Sequence, residues 1–315
     1  MSVSDAPQTP MGSRLGGCRP ALVTPLTPER EVDEEGVHTL VSRALADGAS
    51  GVLVAGSTGE GTLLEPEQRA EVTRAARRAL DEHPPAGGGS GGLLRLLAGA
   101  SGPTVGALEE DVERLAEAGA EAVLVLAPHT YPLAPEELVD LHRDVAARAP
   151  VPTVIYHIPQ LTGSWLTVDA VAELAGQPGI VGMKDSSPDA QRRSEFLAAV
   201  AHQHDFDLLT GHAPSLQAAL EAGAQGSITA VANLRQHRVV ALHEAFAAGD
   251  TERARQLQAA LTRLSEGIGT AGASVPATLK AALQLEGVIA ERWCRPPLRS
   301  LDSKRLDRVR TALMA

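Results

Sequence analysis

The chain has 315 residues, a formal net charge of −11 and 43% hydrophobic residues, of which very few are aromatic. That length suits one large α/β barrel or two ordinary domains. The acid excess argues against bulk nucleic-acid binding, which needs a positive footprint, and no apolar run approaches the ~20 residues that span a bilayer.

Met1 to Pro10 lack a basic start and an apolar stretch, so no secretory signal is expected. Residues 1–18 read as a flexible lead-in. Cys18 and Cys294 lie far apart in sequence. A disulfide framework is therefore not expected, and a reducing cytoplasm is the natural setting. Short apolar runs then alternate with amphipathic ones. The strand candidates are 21–24, 51–55, 94–98, 122–126, 153–156, 180–184, 207–210 and 226–229. Each is apolar on both faces or nearly so, the mark of parallel strands buried between helices and a packed interior.

Helix starts lie between them. Asp33-Glu34-Glu35, Glu65-Pro66-Glu67, Thr104 and Pro135-Glu136-Glu137 open amphipathic runs, with acids or proline in the first turn. Gly48, Gly119 and Gly223 sit where a left-handed stop is expected. The segment from Pro84 to Gly92 is low in complexity. No Lys-Ser/Thr pair follows it, so it reads as a loop at the barrel bottom rather than a phosphate cradle. Eight βα units in unbroken order predict an α/β fold, a (β/α)₈ barrel over 19–247. A doubly wound open sheet is the alternative, but Thr24-Pro25-Leu26-Thr27-Pro28 lacks its glycine-rich turn. Residues 248–315 read as a C-terminal helical extension of the same domain.

Three strand ends carry the candidate chemistry. The sixth strand reads Gly179-Ile180-Val181-Gly182-Met183-Lys184-Asp185. A lysine at the end of a buried apolar strand is costly to keep charged, so it is expected to attack a carbonyl as the free amine. The bland alternative pairs Lys184 with Asp185. Lysine is scarce, however: only Lys184, Lys280 and Lys304 occur, and arginine would serve a salt bridge better. Tyr156, one of two tyrosines, ends the fifth strand and can carry protons. After strand two, Gly56-Ser57-Thr58-Gly59-Glu60-Gly61 offers backbone and hydroxyl donors to a carboxylate.

Together, Gly-Ser-Thr-Gly-Glu (56–60), Tyr-His-Ile-Pro (156–159), Gly-Met-Lys-Asp (182–185) and Gly-Ser-Ile-Thr-Ala-Val-Ala-Asn (226–233) resemble the dihydrodipicolinate synthase / N-acetylneuraminate lyase family of class I aldolases. The resemblance implies Lys184 as the Schiff-base lysine and Tyr156 as the proton relay. Ser57 and Thr58 would hold the pyruvate carboxylate beside Gly56, with Ser57 also in the relay, and Gly211 and Ile228 would line the pyruvate pocket. It also implies a cytoplasmic homotetramer built as a dimer of dimers, acting on a pyruvate-like 2-keto acid and an aldehyde, with no metal or organic cofactor.

The departures bear on substrate. Leu161 stands where the synthases place an arginine for the aldehyde's carboxylate, which points away from lysine-pathway synthesis. His212 and Ala213 stand where neuraminate lyases carry acids, which points away from sialic acid. In the loop after strand four, Thr130 falls at a second relay position, with Tyr131 one place beyond. Either Tyr131 swings in, or a hydroxyl and water substitute, or the relay is broken. The leading expectation is cleavage of a 2-keto-3-deoxy (sugar) acid to pyruvate and an aldehyde. The alternatives are dehydration of a keto-deoxy sugar acid, 4-hydroxy-tetrahydrodipicolinate synthesis, or keto-acid binding without turnover. His157, His212 and His129 lack the spacing of a metal site, so no metal is expected.

Overall fold

The computed structural model describes residues 13–84, 92–271 and 274–314. The glycine-rich loop expected between Pro84 and Gly92 falls almost wholly outside these residues, as does most of the expected lead-in. No helix among the described residues is long and apolar enough to cross a membrane.

Eight parallel strands run in the order β1-β8-β7-β6-β5-β4-β3-β2. They are β1 Gly17–Pro20, β2 Val52–Val54, β3 Leu96–Ala100, β4 Ala122–Leu126, β5 Thr153–His157, β6 Ile180–Asp185, β7 Asp207–Thr210 and β8 Gly226–Thr229. A single parallel bridge, Ala21 to Leu53, closes the ring between β1 and β2. The molecule is a (β/α)₈ barrel.

Strands two to eight fall within two residues of expectation, the largest shift being β3 at Leu96–Ala100 rather than 94–98, but the N-terminal segment differs further. The first strand is Gly17–Pro20 rather than 21–24, and residues 13–18 are not a loose lead-in. Leu15 is fully buried, and its N–H donates to the Asp207 carboxylate at 2.8 Å. The guanidinium of Arg19, also buried, donates to the carbonyls of Leu15, Gly16 and Leu94. Leu15 thus belongs to the apolar plug inside the barrel, with Leu53, Leu97, Leu124, Val154 and Leu209. A charged guanidinium so deep is tolerable because carbonyl oxygens surround it.

The helices start where the sequence signals them. Asp33 caps Glu34–Ala46, and Thr104 caps Val105–Glu117, each through its side chain. Proline opens Pro66–Asp81 and Pro135–Arg148. Their apolar faces cover the outer side of the strands. After β8, Ala232–Ala247, Thr251–Thr270, Val275–Leu285 and Ser303–Met314 follow. Leu257, Leu261, Leu264 and Leu279 share one apolar cluster with the barrel helices.

One irregularity decides which way the key lysine faces. Strict alternation along β6, starting from the outward Ile180, would point Lys184 at the helices. The pairing of β5 with β6 instead skips a residue: Thr153 faces Ile180 and Val154 faces Gly182, which leaves Val181 as a bulge. Beyond it Met183 packs outward with Ile155 and Phe196, while Lys184 stands opposite Tyr156. A bulge that re-aims a side chain beside a site is a common use of this device.

Candidate active site

The C-terminal ends of the strands surround a cavity of about 480 Å³, where barrels of this kind carry their chemistry. Its inner wall includes Lys184 from β6, Tyr156 from β5, Ser57 and Thr58 from the turn after β2, Gly211 after β7 and Ile228 from β8. Leu161 and His212 stand farther out. The structure therefore gathers eight of the expected residues in one place.

Lys184 is 3% exposed, and its Nζ lies 4.4 Å from the centre of the Tyr156 ring. The alternative pairing with Asp185 does not occur. The Asp185 carboxylate faces away, bonded to His157 Nδ1 at 2.8 Å, to Arg193 Nε at 2.8 Å and to the Ser187 hydroxyl at 3.1 Å. Burial pushes the Asp185 pKa up, but the His157 hydrogen bond and the Arg193 charge outweigh it and hold the carboxyl below its ordinary range. The negative charge next in sequence is thus neutralised behind the strand. Among the described residues Lys184 takes part in no ion pair, so the amine has the cavity to itself.

Gly211 explains how close the wall comes. Its N–H donates to the Asp185 carbonyl at 2.7 Å. A Cβ added there would collide with Ser186 Oγ and lie 2.9 Å from Lys184 Cε. Gly211→Ala is therefore expected to displace the lysine stem. Misplacing a reacting group costs roughly 10²-fold in kcat/KM, read in steady-state assays. A change below threefold would mean that the stem moves freely.

The turn carrying Ser57 and Thr58 is tight, one turn of 3₁₀ helix over Ser57–Gly59. Ala55 and Glu60, on either side, both have left-handed backbone, with φ of 50° and 61°. Thr24 Oγ1 donates to the Gly59 carbonyl at 2.7 Å. Behind the turn, Glu60 and Lys280 meet at 2.5 Å with both side chains fully buried. The contact is an ion pair. Lys280 Nζ also donates to the Trp293 carbonyl at 2.6 Å, and Glu60 Oε2 accepts from the Arg295 N–H at 2.7 Å. The pair ties the turn after β2 to the C-terminal extension. Lys280→Met would strand a buried carboxylate at a cost of about 3–5 kcal/mol, measurable as a lower urea midpoint. The double variant Glu60→Gln/Lys280→Met is expected to regain most of that loss.

Three expected site residues lie elsewhere. Gly56 lines a void of about 10 Å³ on the far side of Ser57 and Tyr156, not the main cavity. Thr130 lines a neighbouring hollow with Arg69, Ser101 and His129. Tyr131 is 76% exposed. Neither residue lines the Lys184 cavity of its own chain.

Other cavity residues were not singled out from sequence. Gln160 and Ser186 follow β5 and β6, and Ser265, Ser274, Val275 and Pro276 come from the C-terminal helices. Of these, only the Ser-x-Pro helix start at 274–276 has a local signal, and that signal speaks to capping. Among the described residues no three His, Cys, Asp or Glu side chains cluster as metal ligands. The two cysteines are free and buried.

A deeply set amine, a phenol beside it and a hydroxyl-bearing turn opposite are what imine chemistry on a keto acid requires. The model of the dihydrodipicolinate synthetase family matches residues 14–315. An uncharacterized DapA-like lyase of Halobacterium salinarum is 34% identical over 304 residues, spanning 94% of this chain and 93% of that protein. A 4-hydroxy-tetrahydrodipicolinate synthase of Methanopyrus kandleri is 35% identical over 309 residues, spanning 95% and 96%. Among solved structures, YagE of E. coli K12, a prophage protein of the dihydrodipicolinic acid synthase family crystallised with pyruvate, superposes with a TM-score of 0.85 at 25% identity, covering 95% of this chain and 97% of its own. The chain belongs to the dihydrodipicolinate synthetase family of class I lyases.

Proposed function

We propose that the protein is a Schiff-base aldolase that reversibly cleaves a 2-keto-3-deoxy acid, as expected of the sugar-acid type, into pyruvate and an aldehyde. The observation that carries this reading is the Lys184 amine, in no ion pair among the described residues and buried beside the Tyr156 ring in the strand-end cavity that also holds the Ser57 and Thr58 hydroxyls.

Lys184 Nζ attacks the keto carbon at C2, and loss of water leaves a protonated imine. In cleavage, Tyr156 takes the proton of the C4 hydroxyl as the C3–C4 bond breaks, and the electron pair moves into the imine. The aldehyde departs, C3 is protonated, and water releases pyruvate from the lysine. Ser57 and Thr58 bind the C1 carboxylate through hydroxyl and backbone donors, and Ser57 passes protons between Tyr156 and solvent. Under the same reading the enzyme works in the cytoplasm as a homotetramer, with neither metal nor organic cofactor.

A second reading, 4-hydroxy-tetrahydrodipicolinate synthesis, is favoured by the name of the Methanopyrus relative. Both readings share the imine and part at the acceptor. Incubation with a panel of 4-hydroxy-2-keto acids separates cleavage from dehydration. Cleavage releases pyruvate and aldehyde in equal amounts, whereas a product that keeps every carbon would replace the aldolase with a dehydratase.

A further inference from the structure

A buried ion pair stands behind Lys184, and the imine chemistry makes no use of it. Asp185 is fully buried and takes hydrogen bonds on both carboxylate oxygens. His157 Nδ1 and the Ser187 N–H reach Oδ1 at 2.8 and 3.0 Å. Arg193 Nε and the Ser187 hydroxyl reach Oδ2 at 2.8 and 3.1 Å. The Leu166 N–H donates to His157 Nε2 at 3.4 Å, so Nδ1 carries the ring proton and donates it to the carboxylate. The guanidinium of Arg193 also donates to Ser215 Oγ at 2.9 Å and to the Ser187 carbonyl. The pair thereby joins the ends of β5 and β6 and the turn after β7 to the helix Ala190–Val200.

Stability is a poor reason for this arrangement. Two desolvated charges commonly hold a fold no better than apolar residues of like volume. Arg193 is also in the first turn of its helix, at the positive end of the macrodipole, where a cation is disfavoured. Buried pairs are best attested as devices that fix register, and register is the weak point of this strand. The bulge at Val181 comes just before Lys184. Lys184 and Asp185 point to opposite faces of β6. A one-residue slip that absorbed the bulge would turn Lys184 to the helices and Asp185 to the cavity.

We infer that the Asp185–Arg193 pair sets the register of β6, and that Arg193 is a positioning residue which, through Asp185, keeps Lys184 turned into the cavity. Arg193 does not line the cavity itself. With its cation in place the carboxylate stays behind the strand; without it, the wet cavity becomes the better place for a charge. The inference rests on the Schiff-base reading above, which supplies its readout.

The test uses the whole protein and three variants: Arg193→Met, Asp185→Asn/Arg193→Met and Asp185→Leu/Arg193→Met. Each is mixed with pyruvate over a range of concentrations, trapped with borohydride and assayed well below its melting temperature. Arg193→Met is expected to form the Lys184 adduct roughly 10²-fold more slowly at saturating pyruvate, the scale of a misplaced reacting group. Its half-saturating pyruvate concentration should move by less than about threefold, because Ser57 and Thr58 belong to the turn after β2. The double variants lose the same charges and keep no buried unpaired ion, so they test the inference even if Arg193→Met fails to fold. They differ in the face that residue 185 prefers: leucine favours the helices, whereas asparagine suits either side. The leucine variant is therefore expected to regain the rate and to exceed the asparagine variant by at least ~10-fold. Equal rates in the two double variants would overturn the inference, as would an unchanged rate in folded Arg193→Met. Absence of any adduct on Lys184 in the unaltered protein would instead bring down the Schiff-base reading itself.

Discussion

Lys184→Ala is expected to lower kcat by on the order of 10⁴- to 10⁶-fold, the scale on which loss of a covalent nucleophile acts. Without the amine there is no imine and no sink for the electrons of the C3–C4 bond, and general acid–base groups alone cannot replace it. Lys184→Arg is expected to fail as completely. A guanidinium keeps the charge but cannot be deprotonated to attack a carbonyl. Stability should move the other way. The amine is 3% exposed and makes no ion pair among the described residues, so removing it relieves a buried polar group of its desolvation cost. A variant that is inactive yet melts at or above the temperature of the unaltered protein is the expected pattern, in line with the stability commonly given up at active sites. An inactive variant that also unfolds early would assign Lys184 a structural part instead.

Tyr156→Phe should cost roughly 10²- to 10⁴-fold in kcat, the usual worth of a positioned proton carrier. Phenylalanine retains the ring that packs against Leu126 and Val154 in the barrel interior, and it retains the face 4.4 Å from Lys184 Nζ. Only the hydroxyl is lost. KM for pyruvate is therefore expected to change little, because in the proposed site Ser57 and Thr58, not the phenol, would hold the carboxylate. A large rise in KM with kcat intact would show that the hydroxyl binds rather than relays.

Much of the fold could be read from residues, because each βα unit carries its own signals. Asp33, Thr104 and the prolines at 66 and 135 mark helix starts through local hydrogen bonding and φ restriction, and the structure uses them as such. The first strand was misplaced for a physical reason. Gly17-Cys18-Arg19-Pro20 contains a glycine, a cation and a proline, so its composition hides a strand whose arginine is satisfied by carbonyls at the barrel bottom. Alternation alone would also have faced Lys184 outward. The bulge at Val181 corrects this, and Gly182 gives no hint of it, since its role is to leave room for Leu15 and the Asp207 carbonyl.

The inner site was legible from chemistry: a scarce lysine, a scarce tyrosine and a glycine-flanked hydroxyl pair at strand ends. Its outer wall was not. Ser265, Ser274, Val275 and Pro276 reach the cavity only because the C-terminal helices fold back across the barrel mouth, a long-range placement that leaves no periodic trace. The role of Lys280 was hidden in the same way. Its partner Glu60 lies 220 residues earlier (280 − 60) and stands behind the turn that the sequence singled out for its hydroxyls.

The most direct measurement is reduction of the pyruvate complex with borohydride, followed by peptide mass mapping. The account predicts one N-carboxyethyl group on Lys184, suppressed when pyruvate is omitted and absent in Lys184→Ala. A peptide spanning residue 184 that stays unmodified, or a label on Lys280 or Lys304 in its place, would contradict it.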